Sequence, residues 1–217
     1  VATAVVPFGV AAASAGVPEA TVVLEVLDAP TPGRVPEAAP ARFVLLEDGR
    51  LFVGGTSHVH AGRLERAEAK EIEKQIARVR KLPGLGSALS FGPGETRRRL
   101  TLPKGLTITA TGDPAKAAAA MRPLAELLGL LEGFLHPSLT PYVPTQYLLS
   151  VRTAPILGGC RPWTIGQVTL TEALAAPRML PAQAVGGWST GAPAANVCSG
   201  EQTYLVALRP LLPGERP

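Results

Sequence analysis

Twenty-two prolines are spread along these 217 residues, and they set the first limit on the fold. Each proline lacks a backbone N–H and fixes φ, so one inside a helix costs about 3 kcal/mol. An all-helical bundle is excluded, and strands joined by stiff loops are favoured. The length suits one domain with an irregular appendage and buries a substantial core without metal or several disulfides.

The strand signals are clear. Residues 21–27 (TVVLEVL) are rich in β-branched side chains. Residues 28–41 carry Pro30, Pro32, Pro36 and Pro40 and read as a semi-rigid extended linker. The runs 43–47 and 50–53 flank Asp48-Gly49, a dipeptide that fits a two-residue type I′ hairpin turn. A second hairpin is predicted from 97–102 and 106–111 around Pro103-Lys104-Gly105. Further strands are expected at 146–152 and 203–209, with another at 164–170.

Two helices interrupt this pattern. Leu64, Ile72, Ile76, Val79 and Leu82 follow helical spacing with charges on the other faces, and Pro83-Gly84 ends the run. The second helix is expected over 123–134, with Pro123 in its first turn and His136-Pro137 as its stop. The order hairpin, helix, hairpin, helix suggests a duplicated unit, but the side chains do not repeat. The expected class is α+β: an antiparallel sheet built from hairpins, with two amphipathic helices on one face and an irregular disulfide-closed C-terminal lobe. The divisions are an apolar N-terminal arm or residual signal peptide at 1–20, a core domain at 21–152 and a Pro/Gly-rich lobe at 153–217. That lobe contributes the strand near 203–209. It is expected, with the linkers or a partner, to cover the opposite sheet face.

Cys160 and Cys198 lie in Gly- and Pro-rich surroundings that read as turns, where a thiol does not simply fill a core. A disulfide between them would close a loop of roughly forty residues and stabilise the fold by about 3–4 kcal/mol. Free thiols or a weak metal site are the alternatives. No Cys-x-x-Cys is present, which excludes a thioredoxin-type motif. Residues 1–18 carry no charge, and Ala13-Ser14-Ala15 has the small-x-small form preferred before a signal-peptide cleavage site. An unstructured apolar tail is the competing reading. Together these features point to a periplasmic or extracellular location. Pro7 and Gly9 break any membrane helix in the arm, and the apolar run 124–135 is too short to span, so no transmembrane segment is expected.

The charge balance of +4 is too modest to argue for nucleic acid. Arg66, Lys70, Lys74 and Arg78 recur every fourth residue as a basic ridge that could take an anion. Glu65, Glu68, Glu71 and Glu73 interleave with them, so the plainer reading is a solvated face of ion pairs. His58 and His60 share one side of an extended segment, the start of a copper, nickel or zinc site, but no third ligand is evident.

Most catalytic patterns are absent: no His-Glu-x-x-His, Walker A loop or Gly-x-Gly-x-x-Gly occurs. His136 and Ser138 around Pro137 read as helix-terminal capping. No cofactor is expected. Trp163 and Trp188 lie between the cysteines, with Tyr142 and Tyr147 upstream. By default they pack as a small core beside the disulfide; if exposed, they would be interface anchors. The expected role is a non-catalytic exported accessory or interaction protein, a subunit of or partner to an extracytoplasmic or membrane-associated assembly. A periplasmic ligand- or metal-binding protein using His58 and His60 is the alternative, and an enzyme with a scattered site is the third possibility.

Overall fold

A computed structural model describes residues 19–27, 43–54, 58–94, 96–154, 159–186, 188 and 194–215. The expected linker at 28–41 and residues 1–18 of the N-terminal arm, including the proposed cleavage site, lie outside the described residues.

The first part of the chain runs β1 (Ala20–Leu27), β2 (Phe43–Leu46), β3 (Arg50–Gly54), β4 (Val59–Arg63) and α1 (Arg66–Arg80). It continues through β5 (Ala88–Ser90), β6 (Arg97–Leu102), β7 (Leu106–Thr111), α2 (Arg122–Glu132) and β8 (Thr140–Pro141). The second part comprises β9 (Gln146–Thr153), α3 (Leu170–Ala175), β10 (Arg178–Pro181), β11 (Ala194–Ser199) and β12 (Gln202–Pro210). An eight-stranded sheet has the order β5-β7-β6-β1-β2-β3-β4-β8, and a four-stranded sheet has the order β10-β9-β12-β11. Neighbours are antiparallel except for the short β5–β7 pair. The chain is thus an α+β protein built on antiparallel sheets, as its sequence pattern predicts.

Alternation builds the main core. Val22 and Leu24 of β1, Leu100 and Leu102 of β6 and Ile108 of β7 point to one face and are almost wholly buried. Against them pack Ile72, Ile76 and Val79 of α1 and Leu124, Leu127, Leu128 and Leu131 of α2. The three- and four-residue spacings put each set on one helix stripe, and each fully buried leucine contributes about 1.5–3 kcal/mol. Pro123 sits in the first turn of α2, where its missing N–H costs nothing. At the start of α1 the Glu65 N–H donates to the Glu68 carboxylate at 2.8 Å.

On the opposite face, Val44, Leu46, Phe52 and Val59 pack with Tyr142 and Leu212. The segment after β12 therefore covers part of the face that the helices leave open.

Four local expectations change. The β2–β3 turn is not type I′, because that form needs positive φ at both central residues. Gly49 N–H bonds the Leu46 carbonyl at 3.0 Å and only Gly49 has positive φ (82°), giving a type I turn with a glycine bulge. Asp48 instead accepts from Arg50, at Oδ1 from the backbone N–H (3.0 Å) and at Oδ2 from Nε (2.7 Å).

Residues 164–170 form a turn leading into α3, not a strand. Thr169 caps the helix, its Oγ1 accepting from the Glu172 N–H at 3.2 Å while the Glu172 carboxylate accepts from the Thr169 N–H at 2.8 Å.

Cys198 lies in β11 and not in a turn; the turn follows at Gly200, where φ is 60°.

Lastly, the strand predicted at 146–152 joins the strand near 203–209 in a second sheet, where the hairpin pattern predicts a single one: β9 pairs with β10 and β12. A strand's composition does not specify its partner, because pairing is a long-range choice.

Candidate functional site

The second sheet carries the most unusual constellation. Cys160 and Cys198 are joined, with Cα atoms 5.6 Å apart across a sequence separation of 38. Cys160 is exposed and Cys198 half-buried. Beside the bridge, Arg161 adds a short parallel contact to β11: its N–H donates to the Asn196 carbonyl (3.1 Å), and its carbonyl accepts from the Cys198 N–H (3.2 Å).

The Arg161 guanidinium lies 3.6 Å from the centre of the Trp188 ring, a cation–π contact. Trp163 meets Trp188 edge-on, with centroids 5.9 Å apart and planes at 67°. Trp188 Nε1–H donates to Thr164 Oγ1 (3.0 Å), and Trp163 Nε1–H donates to the Val168 carbonyl (2.9 Å). Arg161 Nε is buried without a partner, and desolvation draws the guanidinium pKa down. Sequence reading missed Arg161 because nothing local marks which ring an arginine will cover.

The aromatic residues are mostly committed inward. Trp188 and Tyr147 are each 7% exposed and belong to the core of the second sheet, and Trp163 packs at its edge. Tyr142 stacks edge-on with Phe52 (5.4 Å) and donates its hydroxyl to the Leu211 carbonyl (2.9 Å). Burial raises both tyrosine pKa values, with the Glu215 carboxylate adding to the effect at Tyr142. Exposed interface anchors are not what these four side chains form. The default expectation of a small core beside the disulfide describes the tryptophans and Tyr147.

A second constellation ties three elements of the first sheet. His136 Nδ1 lies 2.7 Å from Ser138 Oγ, and His136 Nε2 lies 3.0 Å from Glu68 Oε1 of α1. The Ser138 N–H donates to His136 Nδ1 at 3.2 Å, so that nitrogen is an acceptor and Nε2 carries the proton toward Glu68. Two bonds, the Glu65 N–H first and His136 second, hold the Glu68 carboxyl below its ordinary value of 4.5.

The connectivity is that of a serine–histidine–acid relay. Ser138 Oγ, however, also accepts from the Arg63 N–H and lies within bonding distance of the Arg63 carbonyl, both at 3.0 Å. A Cβ on Gly62 would approach this oxygen to 2.5 Å, so the hydroxyl sits hard against β4. The arrangement works as a structural tie between α1, β4 and the segment before β8. His136 and Ser138 were visible as a local pair; Glu68, 68 residues away from His136, was not.

The basic ridge on α1 is exposed and laced with acids. Lys74 pairs with Glu71 at 2.8 Å, and Arg78 bonds Gln75 (2.9 Å) and lies 3.7 Å from Glu126. Arg66 and Lys70 are exposed on the same helix. Arg98 turns inward to Glu132, and Arg99 pairs with Glu25 at 3.2 Å.

His58 is exposed just before β4, and His60 lies within it opposite Val53 and Pro141. Among the described residues no three His, Cys, Asp or Glu side chains converge as a metal site would require.

These features define a two-sheet α+β protein stapled by one disulfide, and among the described residues no helix is long and apolar enough to cross a membrane. The chain matches no protein-family model, no curated protein and no solved structure.

Proposed function

We propose that this chain is an exported, non-catalytic interaction protein that engages a protein partner on the extracytoplasmic side, in or beside a membrane-associated assembly. The observation that carries this reading is the exposure of two large apolar side chains on the connector from α2 to β9, one before β8 and one after it. Leu135 is 89% exposed and Val143 is 83% exposed. Phe134, His136, Ser138 and Tyr142, beside these two residues, anchor the backbone by stacking and hydrogen bonds, so the two apolar groups are presented from a fixed segment. Large apolar side chains presented from an ordered segment are groups that a protein partner can bury. The disulfide supports export, since such bonds persist mainly in oxidising compartments.

The test is photo-crosslinking in the native host from positions 135 and 143, with position 104 on the β6–β7 turn as control. One protein captured from both connector positions and not from the control is expected. Capture of nothing, or of the same proteins from all three positions, defeats the reading.

A second reading rests on the Ser138–His136–Glu68 relay, which would make the chain a serine hydrolase. Labelling by a fluorophosphonate that is lost in Ser138→Ala supports it. Absence of labelling leaves the relay as the tie described above.

A further inference from the structure

We infer that the Cys160–Cys198 bridge is a redox-sensitive clasp, opened by a dithiol reductant, that releases residues 159–161 from the edge of β11 and lifts Arg161 from the Trp188 ring. The inference is independent of the connector surface. It begins from placement: Cys160 is an exposed residue and Cys198 a half-buried one, so a thiolate approaches the bridge from the Cys160 side. The reductant's first thiolate attacks Cys160 Sγ. The S–S bond breaks with its electron pair leaving on Cys198 Sγ, which takes a proton. The reductant's second thiol then displaces Cys160 from the mixed disulfide. Two electrons and two protons pass from the dithiol, which becomes a disulfide, and both cysteines end as thiols.

Opening the bond has a local consequence for the residues next to Cys160. Arg161 meets β11 through a pair of backbone hydrogen bonds beside the bridge, while Trp163 keeps its Nε1–H bond to the Val168 carbonyl and its packing on the second core. Arg161 also rests on Trp188 with its Nε desolvated and unpartnered, so moving into water restores hydration that the clasped position denies it. The remainder of the lobe has its own support. β11 pairs with β12 along its whole length, β12 pairs with β9, and Leu149, Val197 and Val206 form a core that needs no bridge. Reduction therefore loosens an edge and leaves the sheet in place.

Both tryptophans of the chain belong to this cluster, so the tryptophan emission of the protein reports on it. The experiment treats folded full-length protein with dithiothreitol, without denaturant, and follows iodoacetamide trapping by mass, tryptophan emission, far-ultraviolet circular dichroism and amide exchange at Cys198. Expected are two trapped thiols, a red-shifted emission, unchanged circular dichroism and exchange at Cys198 about tenfold faster. The doubly substituted Cys160→Ser/Cys198→Ser protein should reproduce the reduced state. Arg161→Ala in the oxidised protein should alter the emission while leaving the bridge intact. A bridge that resists dithiothreitol, reduction without change in emission or exchange, or loss of the sheet's circular dichroism overturns the proposal.

Discussion

The Glu132 carboxylate, in the last turn of α2, takes two hydrogen bonds from Arg98 of β6, Nε to Oε2 at 2.7 Å and Nη2 to Oε1 at 3.3 Å. The remaining Arg98 nitrogen, Nη1, donates to the Gly112 carbonyl at 2.9 Å. Arg98 thus closes the rim of the main core, fixing the end of α2 against the strand beneath it. Its side chain is only 11% exposed, so the charge is shielded where the two elements meet.

Arg98→Ala should destabilise the fold by about 2–3 kcal/mol, because the Glu132 carboxylate loses its two guanidinium bonds. Arg98→Lys should recover little of this, since one ammonium does not reproduce the forked geometry. Urea denaturation of the three proteins measures both differences.

Leu127 of α2 is fully buried between the helices and the first sheet. Leu127→Ala should cost about 3 kcal/mol through lost transfer energy and the cavity left behind. The same truncation at Leu130, which is 42% exposed on the other side of α2, should cost far less. Equal losses at the two positions would contradict the helix orientation described above.

Gly49 has φ of 82°, and a Cβ there would lie 2.9 Å from the Leu64 carbonyl oxygen. Gly49→Ala should therefore destabilise by about 1–3 kcal/mol, combining left-handed backbone strain with a contact against main chain that cannot rotate away. A neutral effect in thermal melts would refute the bulged turn.

The Glu68 carboxyl is held below 4.5 by the Glu65 N–H and by His136. A carboxyl with a depressed folded-state pKa contributes stability above its unfolded value, lost as pH falls through the folded one. Melting temperature should drop as pH is lowered from 4.5, and Glu68→Gln should flatten that part of the profile. Parallel profiles would assign the acid sensitivity to other groups.

Much of the architecture was legible in local pattern. The helices fall where Ile72, Ile76 and Val79 and where Leu124, Leu127 and Leu131 recur at helical spacing, and both early hairpins lie where their turn residues place them. These signals survive because periodicity and turn chemistry are properties of neighbouring residues. The segment at 164–170 misled because its β-branched residues outweighed the Thr169-x-x-Glu172 cap, which was also present in the sequence. The four aromatic residues were visible as a cluster by type, but their inward direction was not.

The sequence alone determined that a chain with this proline content makes antiparallel hairpins and two amphipathic helices, and it singled out Cys160 and Cys198 as the pair to join. Tertiary structure decided which sheet β9 enters, that Arg161 lies on Trp188, and that Glu68 reaches His136. Those outcomes depend on contacts between residues far apart in the chain. Many strands and charges offer chemically equivalent partners, and only the packed core selects among them.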